Sequence, residues 1–371
     1  MTIKKLSLTL VTLTTLVLAP LTTFASPLDK PREALELDTA ITLAISNSTT
    51  IQNLTENIPQ SQTDLNRTEN LPNFSSLNTI VAWQADVMTQ RARVAANIAN
   101  AAAQRDTLGF IVTQHFANIA QLETNLTLFD QQLDLTEQNL NISRLQSELG
   151  IISELDYLLA DLSFNELLLN RTNLESAVVQ AHMDLNRLLG LDETLIHDIT
   201  FDPTYELLPP QVNLTGFINT QRQNHINVRQ AVALQEVAIF NLENFSLNVT
   251  ADGIIMPGNA GAPTRAQRQL ELNEATRNVT AARNQITVHL QDTYTAIREL
   301  EHNLETAAIE LADLKNNLAT ATVQLEVGSI LPITLDNIAL QIANKEADIR
   351  QMHVNHALLV MQFRNPNILV F

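Results

Sequence analysis

One stretch sets narrow limits on what this chain can fold into. Between Ile286 and Gly328 the positions Ile286, Leu290, Thr293, Ile297, Leu300, Leu304, Ala307, Leu311, Leu314, Leu318, Ala321 and Leu325 follow one another at alternating spacings of four and three residues, and none of them is charged. A seam that repeats about every 3.5 residues makes helices supercoil around partners. A second copy lies 178 residues upstream, as Leu108, Val112, His115, Ile119, Leu122, Leu126, Phe129, Leu133, Thr136 and Leu140, with Gly150 standing where Gly328 closes the later copy. The chain therefore reads as a long helical hairpin made twice, each hairpin turning at a glycine. The expected fold class is all-α, two tandem long antiparallel coiled-coil hairpins, with β-strands short or absent.

The first 25 residues read as a leader rather than as part of the fold. Lys4 and Lys5 precede an apolar run from Leu6 to Leu18, and Thr23-Phe24-Ala25 places a cleavage site before Ser26. The run falls short of the roughly 20 residues a membrane-spanning helix needs, and Pro20 follows it. The chain contains no cysteine, which removes disulfides, thiolate metal sites and a lipid-anchored cysteine. Of the 22 basic residues, Lys4 and Lys5 leave with the leader, so 20 face 40 acids in the mature chain. Such an acidic balance argues against nucleic acid and anionic lipid as partners.

In order, residues 26–191 form the first hairpin repeat, 192–213 a connector and 214–371 the second repeat. Helix one runs from Leu37 to about Arg67. The cluster Asn70-Leu71-Pro72-Asn73-Phe74-Ser75-Ser76 breaks it, and a long helix follows from about Leu77 to Leu149. At Leu149-Gly150-Ile151-Ile152-Ser153 the chain turns. Gly150 suits a left-handed C-cap, and Ser153 with Asp156 makes a capping box for the returning helix. That helix carries a seam from Tyr157 to Leu188, interrupted by Arg171, and closes at Gly190. Pro203, Pro209 and Pro210 mark the connector. A helix from 214 to about 244 restarts the plan, the broken segment from Asp252 to Pro263 follows, and then the main seam. The second turn, Ser329-Ile330-Leu331-Pro332, reads as two residues longer than the first, and the last helix ends at Pro366.

Three motifs in this order resemble the TolC family of outer-membrane efflux and secretion proteins. Leu37-Asp38-Thr39-Ala40-Ile41-Thr42-Leu43-Ala44 resembles the family's opening helix. Gly150-Ile151-Ile152-Ser153-Glu154-Leu155-Asp156-Tyr157-Leu158-Leu159-Ala160 resembles its hairpin tip, and Leu185-Asn186-Arg187-Leu188-Leu189-Gly190 resembles the close of its first repeat. The resemblance implies a homotrimer whose hairpins close into an α-helical tunnel, topped by a β-barrel in the outer membrane. It also implies a periplasmic adaptor protein meeting the tips, and an inner-membrane pump behind it. The activity implied is export of small molecules or proteins by tripartite efflux or type I secretion.

The chain departs from that pattern where the barrel should be. A membrane strand takes about 9–11 residues, yet only Thr68 to about Ile80 separates the helices of the first half, and only Phe245 to about Thr264 those of the second. Phe74–Trp83 and Phe245–Met256 each have room for one short strand. Four full membrane strands do not fit, which argues against this protein perforating an outer membrane alone.

Candidate functional residues gather at the tips. Arg144, Glu148, Gly150, Ser153, Glu154 and Asp156 surround the first, and Glu326, Gly328, Pro332 and Asp336 the second. In a ring of protomers the acids would form an electronegative mouth open to adaptor contact and gating. Read plainly, they are acids at solvated helix ends, and Arg144 has an acid to pair with across the tip. His353 and His356 share a helix face but lack a third metal ligand, and His356 lies in the apolar seam. No phosphate loop, nucleophile motif or zinc motif occurs, so no enzyme activity and no cofactor are expected. The competing reading is an exported coiled-coil scaffold or spacer without channel activity. A secreted pore-former is a weaker third, because Gly253–Pro263 is no apolar hairpin.

Overall fold

The computed structural model describes residues 28, 32–70, 77–209, 213–244 and 264–368. The leader, most of the Asn70–Ser76 cluster and the Phe245–Met256 segment, with the strand expected there, lie outside the described residues.

The elements are β1 (Glu33–Ala34), α1 (Leu37–Asn47), α2 (Thr49–Glu69), α3 (Leu77–Glu148), α4 (Glu154–Leu189), β2 (His197–Asp198), α5 (Leu214–Asn224), α6 (Ile226–Glu243), α7 (Arg265–Glu326) and α8 (Pro332–Arg364). The two hairpins are α3 with α4 and α7 with α8, as the doubled heptads require. α3, 72 residues long, extends about 110 Å at the helical rise. An isolated helix of that length is not stable in water without an apolar face covered by partners, and α1, α2, α4, α6 and α8 all pack on it. Helix α7 is packed by α5, α6 and α8.

Both hairpins turn at the same end. Asn365, just past α8, donates to Asp106 of α3 at 2.8 Å. Farther along, Arg350 and Val354 of α8 line one cavity with Ala117, Gln121 and Thr124 of α3. As α3 advances toward Gly150, α8 is traversed back toward Gly328. The two turns also have equal length, residues 149–153 and 327–331. This corrects the expectation of a longer second turn: Pro332 is the first residue of α8, not part of the loop, because proline is well placed where a helix needs no N–H.

Two helices expected to be continuous are broken. Ser48 (φ −74°, ψ 107°) separates α1 from α2, and His225 (φ −61°, ψ 137°) separates α5 from α6. Each residue takes an extended backbone and caps the helix after it, so the break costs little hydrogen bonding. The stretch proposed as a strand up to Trp83 is helical from Leu77, and Trp83 donates its indole N–H to the Thr68 carbonyl.

Burial concentrates in the half of the molecule away from the tips. One core joins Ala40 and Ala44 of α1, Val112, Phe116 and Ile119 of α3, and Ala181, Leu185 and Leu189 of α4. Its counterpart joins Ile218, Val228, Ile286, Leu290, Ile297 and Phe363, with Leu208 of the connector. The connector is held down rather than loose. β2 pairs in parallel with β1, Glu33 opposite His197 and Ala34 opposite Asp198, and Ile196, Ile199 and Leu208 are buried.

Candidate functional site

Each tip is built by a helix end that closes on itself. At the first, the Gly150 N–H donates to the Ser147 carbonyl (2.9 Å) and the Ile151 N–H to the Gln146 carbonyl (2.8 Å). At the second, Gly328 donates to Leu325 (2.9 Å) and Ser329 to Gln324 (2.8 Å). These are Schellman closures, with glycine φ values of 71° and 73°. A Cβ on either glycine would meet nothing within 4 Å, so backbone conformation alone demands glycine there.

The helices that return start differently. Ser153 Oγ accepts the Asp156 N–H while the Asp156 carboxylate accepts the Ser153 N–H, each at 3.2 Å, the capping box expected for α4. α8 has no side-chain cap; Leu331 precedes Pro332, and Asp336 lies past the first turn, too late to cap. Arg144, Glu148, Glu154, Glu326 and Asp336 are exposed. Arg144 makes no ion pair with a described residue, so the pairing across the tip does not form; it projects from an exposed helix face instead.

Large apolar side chains surround these charges. Leu149 and Val327, the equivalent residues before the two glycines, are 75% and 74% exposed. Beyond the first tip, Leu155, Leu158, Leu159, Leu162 and Leu169 form an uncovered stripe along α4. The seam positions nearer the tips, Leu311, Leu314 and Leu318, are only half-buried, since a two-helix hairpin covers one face of each helix and leaves the others open. Arg171, which interrupts the α4 seam, bonds Asp130 of α3 at 2.6 Å and Glu175 at 2.9 Å.

The waist between tips and kinks holds a pair of carboxylates that heptad reading passed over. Glu123 and Glu301 stand at the same 178-residue offset as the seams. Glu301 is 8% exposed. Its Oε1 accepts the Leu208 N–H at 2.8 Å and lies 3.2 Å from His356 Nε2, and its Oε2 accepts from Arg298 at 2.6 Å. Burial pushes its pKa up, but Leu208, Arg298 and His356 outweigh that and hold it below the ordinary glutamate value. Glu123 accepts from Arg32 of the leading segment. Burial raises its pKa as well; His182 and Arg32 prevail and lower it. His182, fully buried, takes the His197 N–H on Nδ1 at 3.5 Å, while its Nε2 stops 3.6 Å from Glu123 and has no hydrogen-bond partner. The signal that could have found this pair was in view: one acid recurring at the repeat offset. Each carboxylate ties the extended segment ahead of its repeat to the hairpin. His353 and His356 meet on the Tyr205 ring, His353 stacked at 4.8 Å and His356 edge-on at 4.9 Å, and His356 also faces Glu301.

The architecture has close likenesses among solved structures. CusC, described through transmembrane channel formation, superposes with a TM-score of 0.67 at 13% identity, covering 92% of this chain and 97% of that one. The outer-membrane channel OprN gives 0.66 at 11%, with 90% and 89% covered. The outer-membrane protein VceC of Vibrio cholerae gives 0.63 at 12%, with 88% and 95% covered. No family model matches the sequence, and no curated protein matches it. At such identities the likeness is one of fold: the chain has the TolC-like fold of outer-membrane channel proteins, as the three motifs led one to expect.

Proposed function

We propose that this protein is an exported, envelope-located conduit component of a tripartite efflux or type I secretion assembly, passing small molecules or proteins. In this reading the repeats 26–191 and 214–371, joined through 192–213, form one protomer of a homotrimer. Its hairpins pack flank to flank, and both tips face a periplasmic adaptor that couples to an inner-membrane pump. The observation that carries it is the superposition with channel proteins over about nine-tenths of both chains. The exposed leucine stripe of α4 agrees with it, since contiguous exposed apolar patches mark interaction surfaces, and turns between rigid helices are where contacts concentrate.

The scaffold reading rests on a separate observation. Residues 70–76 between α2 and α3 are fewer than one membrane strand of about 9–11 residues requires. A barrel-bearing partner or a spacer role would accommodate that shortage.

The test uses Gly150→Pro and Gly328→Pro. Proline cannot take a φ near +70°, and it removes the N–H that closes each tip. The expected result is lost cross-linking to the adaptor and lost export, with circular dichroism still showing a helical chain in the envelope. Unchanged cross-linking and export in both variants would move the preference to the scaffold.

A further inference from the structure

The two kinks are pinned by different chemistry. At the first, two residues share the work: Ser48 Oγ accepts the Ile51 N–H and caps α2, and Asn47 Nδ2 donates to the Leu189 carbonyl at the end of α4. At the second, one imidazole does both. His225 Nδ1 accepts the Asn227 N–H at 3.2 Å, capping α6, and His225 Nε2 lies 3.0 Å from the Pro366 carbonyl beyond α8. A carbonyl only accepts, so Nε2 carries the proton; an N–H only donates, so Nδ1 must be bare. Only the neutral Nε2–H tautomer satisfies both contacts. The ring is 2% exposed, so water cannot replace a lost partner without local opening.

We infer that His225 is an acid-sensitive pin: protonating Nδ1 removes the α6 cap and seats a positive charge in a site too buried to solvate it, so the second kink opens away from the segment after α8 even though Nε2–H still donates to Pro366, while the first kink, with no titratable group in its pins, holds. The Ile226 N–H, bonded to Asn367 Oδ1 at 3.0 Å, ties the same two segments and would be released with it.

The charge that acts on the ring is that of His289, and α3 brings Asp106 to the same segment, where it accepts from Asn365 at 2.8 Å. His289 stands on α7, a like charge when protonated; Arg222, Arg229 and Arg364 are the basic residues nearest in sequence on α5, α6 and α8. The segment after α8 offers the uncharged Pro366 carbonyl and Asn367 side chain. Burial lowers the His225 pKa below 6.5, the Pro366 carbonyl raises it in part, and His289 lowers it again. The stabilisation is therefore fully present above 6.5 and is lost as pH falls through the depressed value.

Hydrogen–deuterium exchange on the full-length mature protein tests this at about pH 7 and about pH 5, after correction for intrinsic rates. The first turn of α6 and residues 365–368 should lose protection by about tenfold or more at the lower pH, while the first turn of α2 stays unchanged. His225→Asn keeps an acceptor for the cap and does not titrate, so it should abolish the step. His289→Gln should keep the step and raise its midpoint. Equal loss at both kinks, a pH-independent α6, or a step that survives in His225→Asn would overturn the inference. Should His225→Asn be unprotected at both pH values, nitrogen-15 spectra of the histidine-labelled wild-type protein decide. A single Nε2–H tautomer titrating below 6.5 supports the pin; mixed tautomers or a midpoint at or above that value reject it.

Discussion

The waist and the tips are made from the same heptads and end in opposite states. At the waist, Leu290 and Ile297 are fully buried, because α5, the connector and α8 all close on α7. Toward the tip, Leu318 continues the same seam and is only half-buried. Polar groups divide the same way. Glu301 is enclosed by Arg298, His356 and the Leu208 N–H, whereas Glu154 stands exposed beside the first tip. The contrast teaches that apolar pattern along a helix does not itself decide burial; the number of elements packed around that level does. The chain satisfies its waist internally and leaves the apolar seam of its tip half partly exposed.

The largest test of that contrast pairs two leucines. Leu290→Ala should cost about 3–4 kcal/mol, as for other fully buried leucines, while Leu318→Ala should cost about 1 kcal/mol or less. Thermal unfolding of the two variants at a protein concentration low enough to keep single chains would break the comparison if the losses were equal.

Next comes the carboxylate. Glu301→Ala strands Arg298 and the Leu208 N–H, for an expected loss of about 3 kcal/mol; Glu154→Ala should stay within about 0.5 kcal/mol. Glu301→Gln retains an acceptor and should fall between them. Because the Glu123 and Glu301 pKa values lie below 4.5, their stabilisation is present above that pH and disappears as the pH falls through the depressed values. Acid titration followed by exchange should therefore weaken the segments around Arg32 and Leu208 before the tips.

Glycines sharpen the comparison further. Gly190, which ends α4 at the waist, combines φ 68° with a Cβ position only 2.9 Å from Asn47 Nδ2, whereas Gly150 has the positive φ alone. Gly190→Ala should cost about 2 kcal/mol and Gly150→Ala about 1 kcal/mol, both read from melting curves.

The smallest effect on single-chain stability, and the most direct on assembly, is expected on α4. Leu158→Glu with Leu162→Glu replaces exposed leucines, so melting of the isolated chain should move by less than about 0.5 kcal/mol. Sedimentation velocity should nonetheless show weakened self-association. Unchanged association would separate the α4 stripe from the assembly surface.

Much of the fold was legible before any coordinates. The seam ending at Gly328 and its copy ending at Gly150 set both hairpins, because glycine is the residue that takes the left-handed cap at low cost. Ser153 and Asp156 marked the start of α4 for the same local reason. The kinks were missed at Ser48 and His225, where helical spacing continues across the break and only a cap betrays it. The waist carboxylates were missed because heptad reading follows apolar positions, and Glu301 lies one residue beyond Leu300 of the seam.

By itself the sequence determined what depends on neighbours along the chain: helix period, helix ends, the glycine turns and the repeat offset. The tertiary structure alone decided what depends on distant segments meeting. It placed Arg32 against Glu123, Leu208 against Glu301 and Pro366 against His225, and it brought no described acid into an ion pair with Arg144. Those outcomes turn on angles and separations between helices, which no local pattern encodes, and on which helix faces other elements happen to cover.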